Sequence, residues 1–170
     1  WTTTPWTLPS NAGLAVRAAT EYAFVRVGKE DDERAETIVM AGELVEKVLG
    51  KLPHQILKTE PGTALVGRRY RPLFDWWQGS EGERREAWKV CAADFVDLTT
   101  GSGIVHIAPA FGADDYALGQ QQGLPMIQLV GTNGCFTAAC GPFAGRFVKD
   151  ADKDLVQDLK DRGLLLKRET

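Results

Sequence analysis

One stretch of the sequence, residues 103–116, carries residue types that could do chemistry: a histidine and two aspartates on either side of a tight loop. Its pattern predicts a short apolar strand containing His106, followed by a loop punctuated by proline and glycine. A helix then opens with Asp114 and Asp115 and ends at Gly123. If the chain reverses in the loop, an imidazole and a carboxylate would face one cavity with backbone N–H groups on its floor.

The same residues also have a purely structural interpretation. A single histidine in an apolar strand is commonly a hydrogen-bonded core residue. Two aspartates in the first turn of a helix stabilise the helix dipole without any ligand. Spacing does not decide between these interpretations, so the elements that surround the stretch have to be considered.

The first eleven residues, Trp-Thr-Thr-Thr-Pro-Trp-Thr-Leu-Pro-Ser-Asn, form a second unusual segment. Two prolines fix φ and favour extended geometry in the residues before them, which predicts a stiff segment rich in hydroxyl groups. Such a segment could line a pocket with threonine oxygens and an indole wall. An edge strand, in which threonine reflects only its preference for β structure, is the alternative.

The composition is that of one soluble globular domain. The 170 residues are 44% hydrophobic and 25% charged, which is enough apolar material for a core. No apolar run approaches the roughly eighteen residues of a membrane span, and the N-terminus lacks the order of a signal peptide. We expect no membrane partner. Because the chain begins with Trp1 instead of methionine, we expect it to be a domain of a longer protein.

Cysteine and histidine are too few and too scattered for a closed zinc site. The chain has three cysteines without a Cys-x-x-Cys pair and only two histidines, so no metal ligands are predicted. Reduced thiols and a cytoplasmic location are expected. These residues are Cys91, Cys135, Cys140, His54 and His106.

The net charge of −3 argues against strong binding to nucleic acid of any sequence, because such binding depends on many lysine and arginine contacts to phosphates. A local basic group is the one candidate surface for nucleic acid. A solvated charged face is its alternative interpretation. The basic group comprises Arg68, Arg69, Arg71, Arg84, Arg85 and Lys89.

Short strands at fairly regular spacing, with few helices and no β-α-β alternation, predict the fold class. It is a β-rich α+β fold with a barrel-like mixed β core and about three peripheral helices. We expect the segment 88–96 to form a hairpin with the His106 strand. The predicted helices are 42–49, 114–122 and 150–162. The predicted strands are 14–16, 22–27, 37–40, 55–58, 64–66, 88–96, the short strand that carries His106, 126–130 and 164–166.

Three motifs together resemble one family. They are the segment 1–11, Gly-x-x-Leu-x-Gly-x-x-Tyr-x-Pro-Leu-Phe at 62–74, and Gly-x-Gly-Ile-Val-His-x-Ala-Pro-x-x-Gly-x-Asp-Asp at 101–115. In this order they resemble the editing (CP1) domain inserted in isoleucyl-tRNA synthetase, a class I aminoacyl-tRNA synthetase. Related valyl and leucyl enzymes typically have Thr-Thr-Arg-Pro in the first motif and no such histidine, so Thr4 and His106 favour the isoleucyl branch. The resemblance implies that residues 1–170 are a single editing domain of a longer synthetase.

The resemblance implies proofreading: hydrolysis of valine attached to isoleucine tRNA, with valyl-adenylate as a second candidate substrate and isoleucine excluded by size. The implied partners are the 3′ end of mischarged tRNA(Ile) and the remainder of the synthetase in cis. The sequence contains neither His-Ile-Gly-His nor Lys-Met-Ser-Lys-Ser, so ATP and metals are expected only in the rest of the enzyme, with no cofactor in this domain.

The resemblance also implies roles for individual residues. Asp115 would bind the α-ammonium group of the substrate, and His106 would bound the pocket for the amino-acid side chain. Threonine hydroxyls and an indole would form the opposite wall and hold the ribose, the water or the carbonyl, and Asn11 matches the motif without a defined role. The hydroxyls belong to Thr2, Thr3 and Thr4, and the indole belongs to Trp6.

Three alternatives stay open at this point. His106 could be a general base, because its ordinary pKa is near 6.5, although we favour the steric role. The domain could be a non-catalytic module that binds the CCA end of tRNA or an amino-acid-like ligand. A thiol or serine hydrolase is disfavoured, because no cysteine or serine lies in a nucleophile motif.

Overall fold

The computed structural model describes residues 1–29 and 31–168. The chain divides into two compact units. Unit 1 consists of Trp1, Leu14–Arg68 and Val90–Val105, and unit 2 consists of Thr2–Gly13, Arg69–Lys89 and His106–Thr170. That residues 1–170 act as a single domain stays a prediction.

The strands form two three-stranded sheets, with the orders β3-β2-β4 and β5-β1-β6. In the first sheet, β2 is antiparallel to both of its neighbours. The strands are β1 Gly13–Val16, β2 Glu21–Val27, β3 Glu36–Ala41, β4 His54–Pro61, β5 Lys89–Ala92 and β6 Val105–Ile107. The helices are α1 Val45–Leu49, α2 Gly62–Leu65, α3 Glu81–Glu86, α4 Ala113–Gln122 and α5 Val148–Asp161, with 3₁₀ helices at Pro5–Ser10, Gly42–Leu44 and Gly141–Phe143.

The α+β class is confirmed, but several details of the prediction are wrong. Within the described residues neither sheet closes into a barrel, and there are five α-helices where about three were expected. The hairpin of 88–96 with the His106 strand does not form, because β1 lies between β5 and β6. Residues 126–130 and 164–166 form no strand, and residues 64 and 65 belong to α2.

The core of unit 1 is built on the two faces of β2. Ala23 and Val25 point to one face and pack with Met40 and with α1. Tyr22 lies on the other face, in a cluster that includes Leu65. This alternation is what a strand covered on both faces requires.

Unit 2 contains α5, whose buried residues Val148, Ala151, Leu155 and Leu159 are spaced by three and four positions. That spacing places them on one helical face. The helix packs against the 3₁₀ helix Pro5–Ser10 and so supports the N-terminal segment. No helix in the described part of the chain is long and apolar enough to cross a membrane.

Candidate active site

The threonine-rich segment folds into a turn that leads into a 3₁₀ helix. The hydroxyl of Thr2 accepts a hydrogen bond from the N–H of Thr4 at 3.0 Å, and the hydroxyls of Thr3 and Thr4 lie 3.4 Å apart. The 3₁₀ helix Pro5–Ser10 follows, with proline at its start, where a missing N–H costs nothing. The carbonyl of Thr4 accepts the N–H of Thr7 at 3.1 Å and its hydroxyl at 2.8 Å. The segment is therefore a compact turn where an extended one was predicted.

His106 lies on β6 and is only 8% exposed. Both of its ring nitrogens have partners in the N-terminal segment. Nδ1 lies 2.8 Å from Nδ2 of Asn11, and Nε2 lies 2.9 Å from the hydroxyl oxygen of Thr7. Oδ1 of Asn11 accepts a hydrogen bond from the hydroxyl of Tyr70 at 2.5 Å. Asn11, from the first motif, thus contacts both Tyr70 of the second motif and His106 of the third.

The partners of Asn11 and Thr7 determine the tautomer of His106. Nδ2 of Asn11 also donates to the carbonyl of Gly13 at 2.9 Å, which fixes the orientation of the amide, and Nδ1 must therefore accept. The Thr7 hydroxyl uses its proton on the carbonyl of Thr4, so its oxygen must accept from Nε2–H. His106 is therefore a neutral imidazole with its proton on Nε2.

This arrangement leaves His106 without a lone pair to offer a substrate. Burial lowers the pKa of His106 from 6.5 to about 3, in agreement with a neutral ring. A general base needs an available lone pair and a pKa near the working pH, and His106 has neither. What its ring can present to a ligand is carbon: the two C–H edges and the faces.

Asp115 is the third residue of α4, and its carboxylate reaches back to the strand end. Oδ2 accepts the N–H of Ala108 at 2.8 Å, two residues after His106. Burial raises the pKa of Asp115, and the nearby charge of Asp114 adds to this increase, whereas the Ala108 hydrogen bond opposes it. Within the described residues, Asp115 forms no ion pair. The predicted reversal of the chain between His106 and Asp115 is present.

Gly112 makes the position of this carboxylate possible. A Cβ atom at Gly112 would lie 3.1 Å from both Cγ and Oδ1 of Asp115, which is closer than ordinary van der Waals contact. The absence of a side chain at the N-cap of α4 therefore leaves room for the carboxylate to turn toward Ala108.

Trp6 packs edge-to-face against Phe111, with 5.0 Å between the ring centroids and an interplanar angle of 71°. Phe111 lies in the loop between β6 and α4, so this pair joins the N-terminal segment to the loop. Both residues are half-buried. The indole of Trp6, whose role as a pocket wall stays a prediction, therefore has a second aromatic ring beside it.

Three residues of this site were absent from the predicted set: Thr7, Tyr70 and Phe111. Each lies inside one of the three motifs, and that is the signal by which they could have been found. Thr7 and Tyr70 lie 99 and 59 residues from the partners that give them a role.

The basic group is largely neutralised. Arg69 donates to the carbonyls of residues 84, 85 and 87 at the end of α3. Four others form ion pairs, which supports a solvated charged face. These pairs are Arg68 with Glu60, Arg84 with Asp75, Arg85 with Glu81, and Lys89 with Glu86.

Comparison with known proteins matches the whole chain to isoleucine–tRNA ligases. It is 46% identical over 171 residues to the enzyme of Methanothermobacter thermautotrophicus, with 100% of the chain and 15% of that protein covered. It is 41% identical over 174 residues to the enzyme of Bdellovibrio bacteriovorus, with 100% of the chain and 16% of that protein covered. It is 41% identical over 169 residues to the enzyme of Clostridium novyi, with 99% of the chain and 15% of that protein covered.

The chain belongs to the isoleucine–tRNA ligase family. It spans only about 15% of the length of the isoleucine–tRNA ligases it matches. No family model matches the chain.

Solved structures relate this segment of the isoleucine–tRNA ligase family to a fold. The crystal structure of GlLeuRS-CP1 superposes with a TM-score of 0.69 at 18% identity, covering 99% of this chain and 82% of that one. The cytosolic leucyl-tRNA synthetase editing domain of P. knowlesi gives a TM-score of 0.64 at 12% identity, covering 95% and 80%. The chain therefore has the fold of class I synthetase CP1 editing domains.

Proposed function

We propose that this chain is a proofreading hydrolase, in which water attacks the ester of valine attached to isoleucine tRNA and isoleucine is excluded. Family membership and the editing-domain fold support this proposal. The observation that carries it is the hydrogen bond from the N–H of Ala108 to Oδ2 of Asp115, which fixes a half-buried carboxylate at the end of the strand that holds the neutral His106.

Asp115 is the residue that we assign to the α-ammonium group of the substrate. Its carboxylate is held by one backbone N–H and pairs with no cation among the described residues, so a bound ammonium would complete its partners. A charge-assisted hydrogen bond of this kind also orients the neighbouring carbonyl for attack. Because aminoacyl esters are already activated, holding the substrate and placing a water are the main requirements.

His106 is the residue that we assign to size selection. One methylene in an apolar pocket is worth only about 1–3 kcal/mol, and isoleucyl-tRNA synthetase is the standard example of an enzyme that needs a second, smaller site for this reason. With both nitrogens occupied, the imidazole offers carbon surface to an aliphatic side chain. A ring held at both nitrogens can resist displacement by the extra methylene of isoleucine.

We assign the opposite, polar wall to Thr2, Thr3 and Thr4, with Trp6 beside them. The Thr2 hydroxyl accepts the N–H of Thr4, and its own proton has no acceptor among the described residues, so it can be donated to a substrate oxygen. The neighbouring hydroxyls of Thr3 and Thr4 are suited to hold a water or the ribose.

We infer the partners and setting from the same assignment. The 3′ end of mischarged tRNA(Ile) would bring the valine ester to the site, valyl-adenylate is a second substrate, and the remainder of the synthetase would present both in cis. Ester hydrolysis consumes only water, so we propose no cofactor here, with ATP and metals in the rest of the enzyme. Among the described residues the three cysteines form no disulfide, which fits the cytoplasmic location that we propose.

The direct test is release of valine from valyl-tRNA(Ile), beside isoleucyl-tRNA(Ile), at high concentrations of this chain. We expect release of valine but not isoleucine, and loss of that release in Asp115→Asn, which keeps the size of the side chain but removes its charge. Asp114→Asn is the matched control, because Asp114 is exposed in the same helical turn. Full activity of Asp115→Asn would refute the ammonium assignment.

A second measurement separates catalysis from binding. If neither ester is cleaved, a non-hydrolysable valyl-adenosine analogue is titrated against the same variants. Binding that depends on Asp115 without cleavage would favour the non-catalytic module. If the chain neither cleaves the esters nor binds the analogue, the proposed function is refuted.

A further inference from the structure

Tyr70 belongs to the second motif, and none of the assignments above gives it a task. Its main-chain N–H donates to the carbonyl of Trp88 at 3.1 Å, within unit 2. The indole of Trp88 in turn donates to the main-chain carbonyl of Asn11 at 3.0 Å. The main chain of Tyr70 is therefore joined to Asn11 through Trp88.

The hydroxyl of Tyr70 gives Asn11 a hydrogen bond that its other partners cannot replace. Nδ2 of Asn11 uses its two protons on the carbonyl of Gly13 and on Nδ1 of His106. The remaining polar atom, Oδ1, accepts from Tyr70. Because Asn11 is 7% exposed, loss of the phenolic O–H would leave a buried acceptor without this donor.

We propose that Tyr70 is a positioning residue for substrate selection, which acts through Asn11 to hold the imidazole of His106 in one place and one tautomer. This inference rests on the proposed function, because the selection it serves is that between valine and isoleucine. Asn11, which is bonded to Nδ1 of His106, takes the place of the group that orients the base in a catalytic triad, although here the histidine binds and does not react. Tyr70 fixes Asn11 in turn. Tyr70 itself need not touch the substrate.

The alternative is that Tyr70 only stabilises the fold. A stabilising hydroxyl would change the free energy of unfolding without changing the choice between two substrates. A positioning hydroxyl changes that choice and also changes the protonation pattern of the His106 ring. Two measurements on Tyr70→Phe distinguish these cases.

The first measurement is kcat/KM for valyl-tRNA(Ile) and isoleucyl-tRNA(Ile). We expect Tyr70→Phe to lower the preference for the valyl ester by about threefold to tenfold, the range for one buried hydrogen bond. Tyr22→Phe is the matched control, because Tyr22 also donates from a buried hydroxyl, to the carbonyl of Gly103 at 2.7 Å, within unit 1. An unchanged preference in Tyr70→Phe overturns the inference.

The second measurement is independent of catalysis. Nitrogen NMR of ¹⁵N-histidine-labelled protein should show His106 protonated on Nε2 only, with His54→Gln used to assign the two histidines. In Tyr70→Phe the Nδ1 and Nε2 signals should shift toward a mixture of tautomers, whereas in Tyr22→Phe they should not. If wild type cleaves neither ester, the proposed function fails while this result still tests Tyr70. Unchanged signals in Tyr70→Phe overturn the inference.

A second variant keeps the test informative if Tyr70→Phe folds poorly. Asn11→Asp replaces the donor to Nδ1 with an acceptor, so it should drive the proton of His106 to Nδ1. We expect Asn11→Asp to lower the preference for the valyl ester by more than Tyr70→Phe does. A full preference in Asn11→Asp would overturn the link between tautomer and selection.

Discussion

The hydroxyl oxygen of Thr7 lies 2.9 Å from Nε2 of His106 and accepts a hydrogen bond from its N–H. A single methyl-for-hydroxyl change, Thr7→Val, removes this acceptor while it preserves the shape of the side chain. The buried N–H of His106 would then lack its partner, at a cost of about 1–3 kcal/mol in the free energy of unfolding.

Urea denaturation checks this prediction, with Thr63→Val as the control, because Thr63 is exposed on α2. The control should change the unfolding free energy by less than about 0.5 kcal/mol. Equal effects of the two substitutions would mean that the Thr7 contact contributes nothing to the fold.

Substitution of His106 by alanine should relax selection by size. With the ring removed, the pocket gains volume, and we expect isoleucyl-tRNA(Ile) to be hydrolysed while valyl-tRNA(Ile) is still cleaved. His54→Ala is the matched control; His54 bonds to the carbonyl of Leu52 in unit 1. Loss of hydrolysis of both esters in His106→Ala would point instead to a chemical role for the ring.

The lowered pKa of His106 predicts a loss of stability in acid. The unfolded chain takes up a proton near pH 6.5, whereas the folded chain does so only near pH 3, so protonation favours unfolding between these values. The contribution of His106 to the free energy of unfolding is therefore fully present above pH 6.5. It is lost as the pH falls toward 3, by about 1.4 kcal/mol per pH unit at most.

Urea midpoints of wild type and His106→Gln, measured from about pH 7 to about pH 4, isolate this term. The raised pKa of Asp115 acts in the opposite direction, because it adds stability that is present in acid and lost as the pH rises through its folded value. Asp115 is common to both proteins, and its contribution cancels in the difference. Parallel curves for the two proteins would contradict a neutral His106.

Gly112→Ala should weaken the substrate site without unfolding the chain. The added Cβ would approach Cγ and Oδ1 of Asp115 to 3.1 Å and turn the carboxylate away from Ala108. We expect KM for valyl-tRNA(Ile) to rise by roughly tenfold or more, because small displacements of a positioning group have large kinetic effects.

Gly82→Ala provides the comparison for this change. A Cβ at Gly82 on α3 meets no atom within 4 Å, and the same substitution there should leave KM unchanged. A normal KM in Gly112→Ala would show that the carboxylate tolerates the displacement.

The local parts of the site could be predicted from sequence. The strand with His106, the loop and the helix through Asp115 follow from apolar runs punctuated by Pro109, Gly112 and Gly123, and the structure has all three. The helix ends at Gly123 with φ of 67°, as a left-handed C-cap requires. Short-range rules were sufficient because the strand, the loop and the helix are consecutive in the chain, and the hydrogen bond from Ala108 to Asp115 spans only seven residues.

The long-range parts could not be predicted. A hairpin between 88–96 and the His106 strand is the simplest pairing of neighbours in sequence, but β1 from the start of the chain takes the central place. Likewise, nothing local distinguishes Thr7 from the three threonines before it. Its role depends on a contact made 99 residues away. One readable signal was overlooked: Ser80 and Glu83 form the capping box that begins α3.

The hydrogen bonds that run from Tyr70 through Asn11, His106 and Thr7 to the carbonyl of Thr4 all point the same way. Such a chain is not a proton wire, because the amide of Asn11 in its middle does not pass protons on and its last atom is an amide oxygen, which is a very weak base. The proton that an attacking water loses therefore has to leave along a path that bypasses the imidazole. In the proposed editing reaction the substrate ribose would bring hydroxyl oxygens of its own, so a fully bonded His106 is compatible with a substrate that takes part in its own removal.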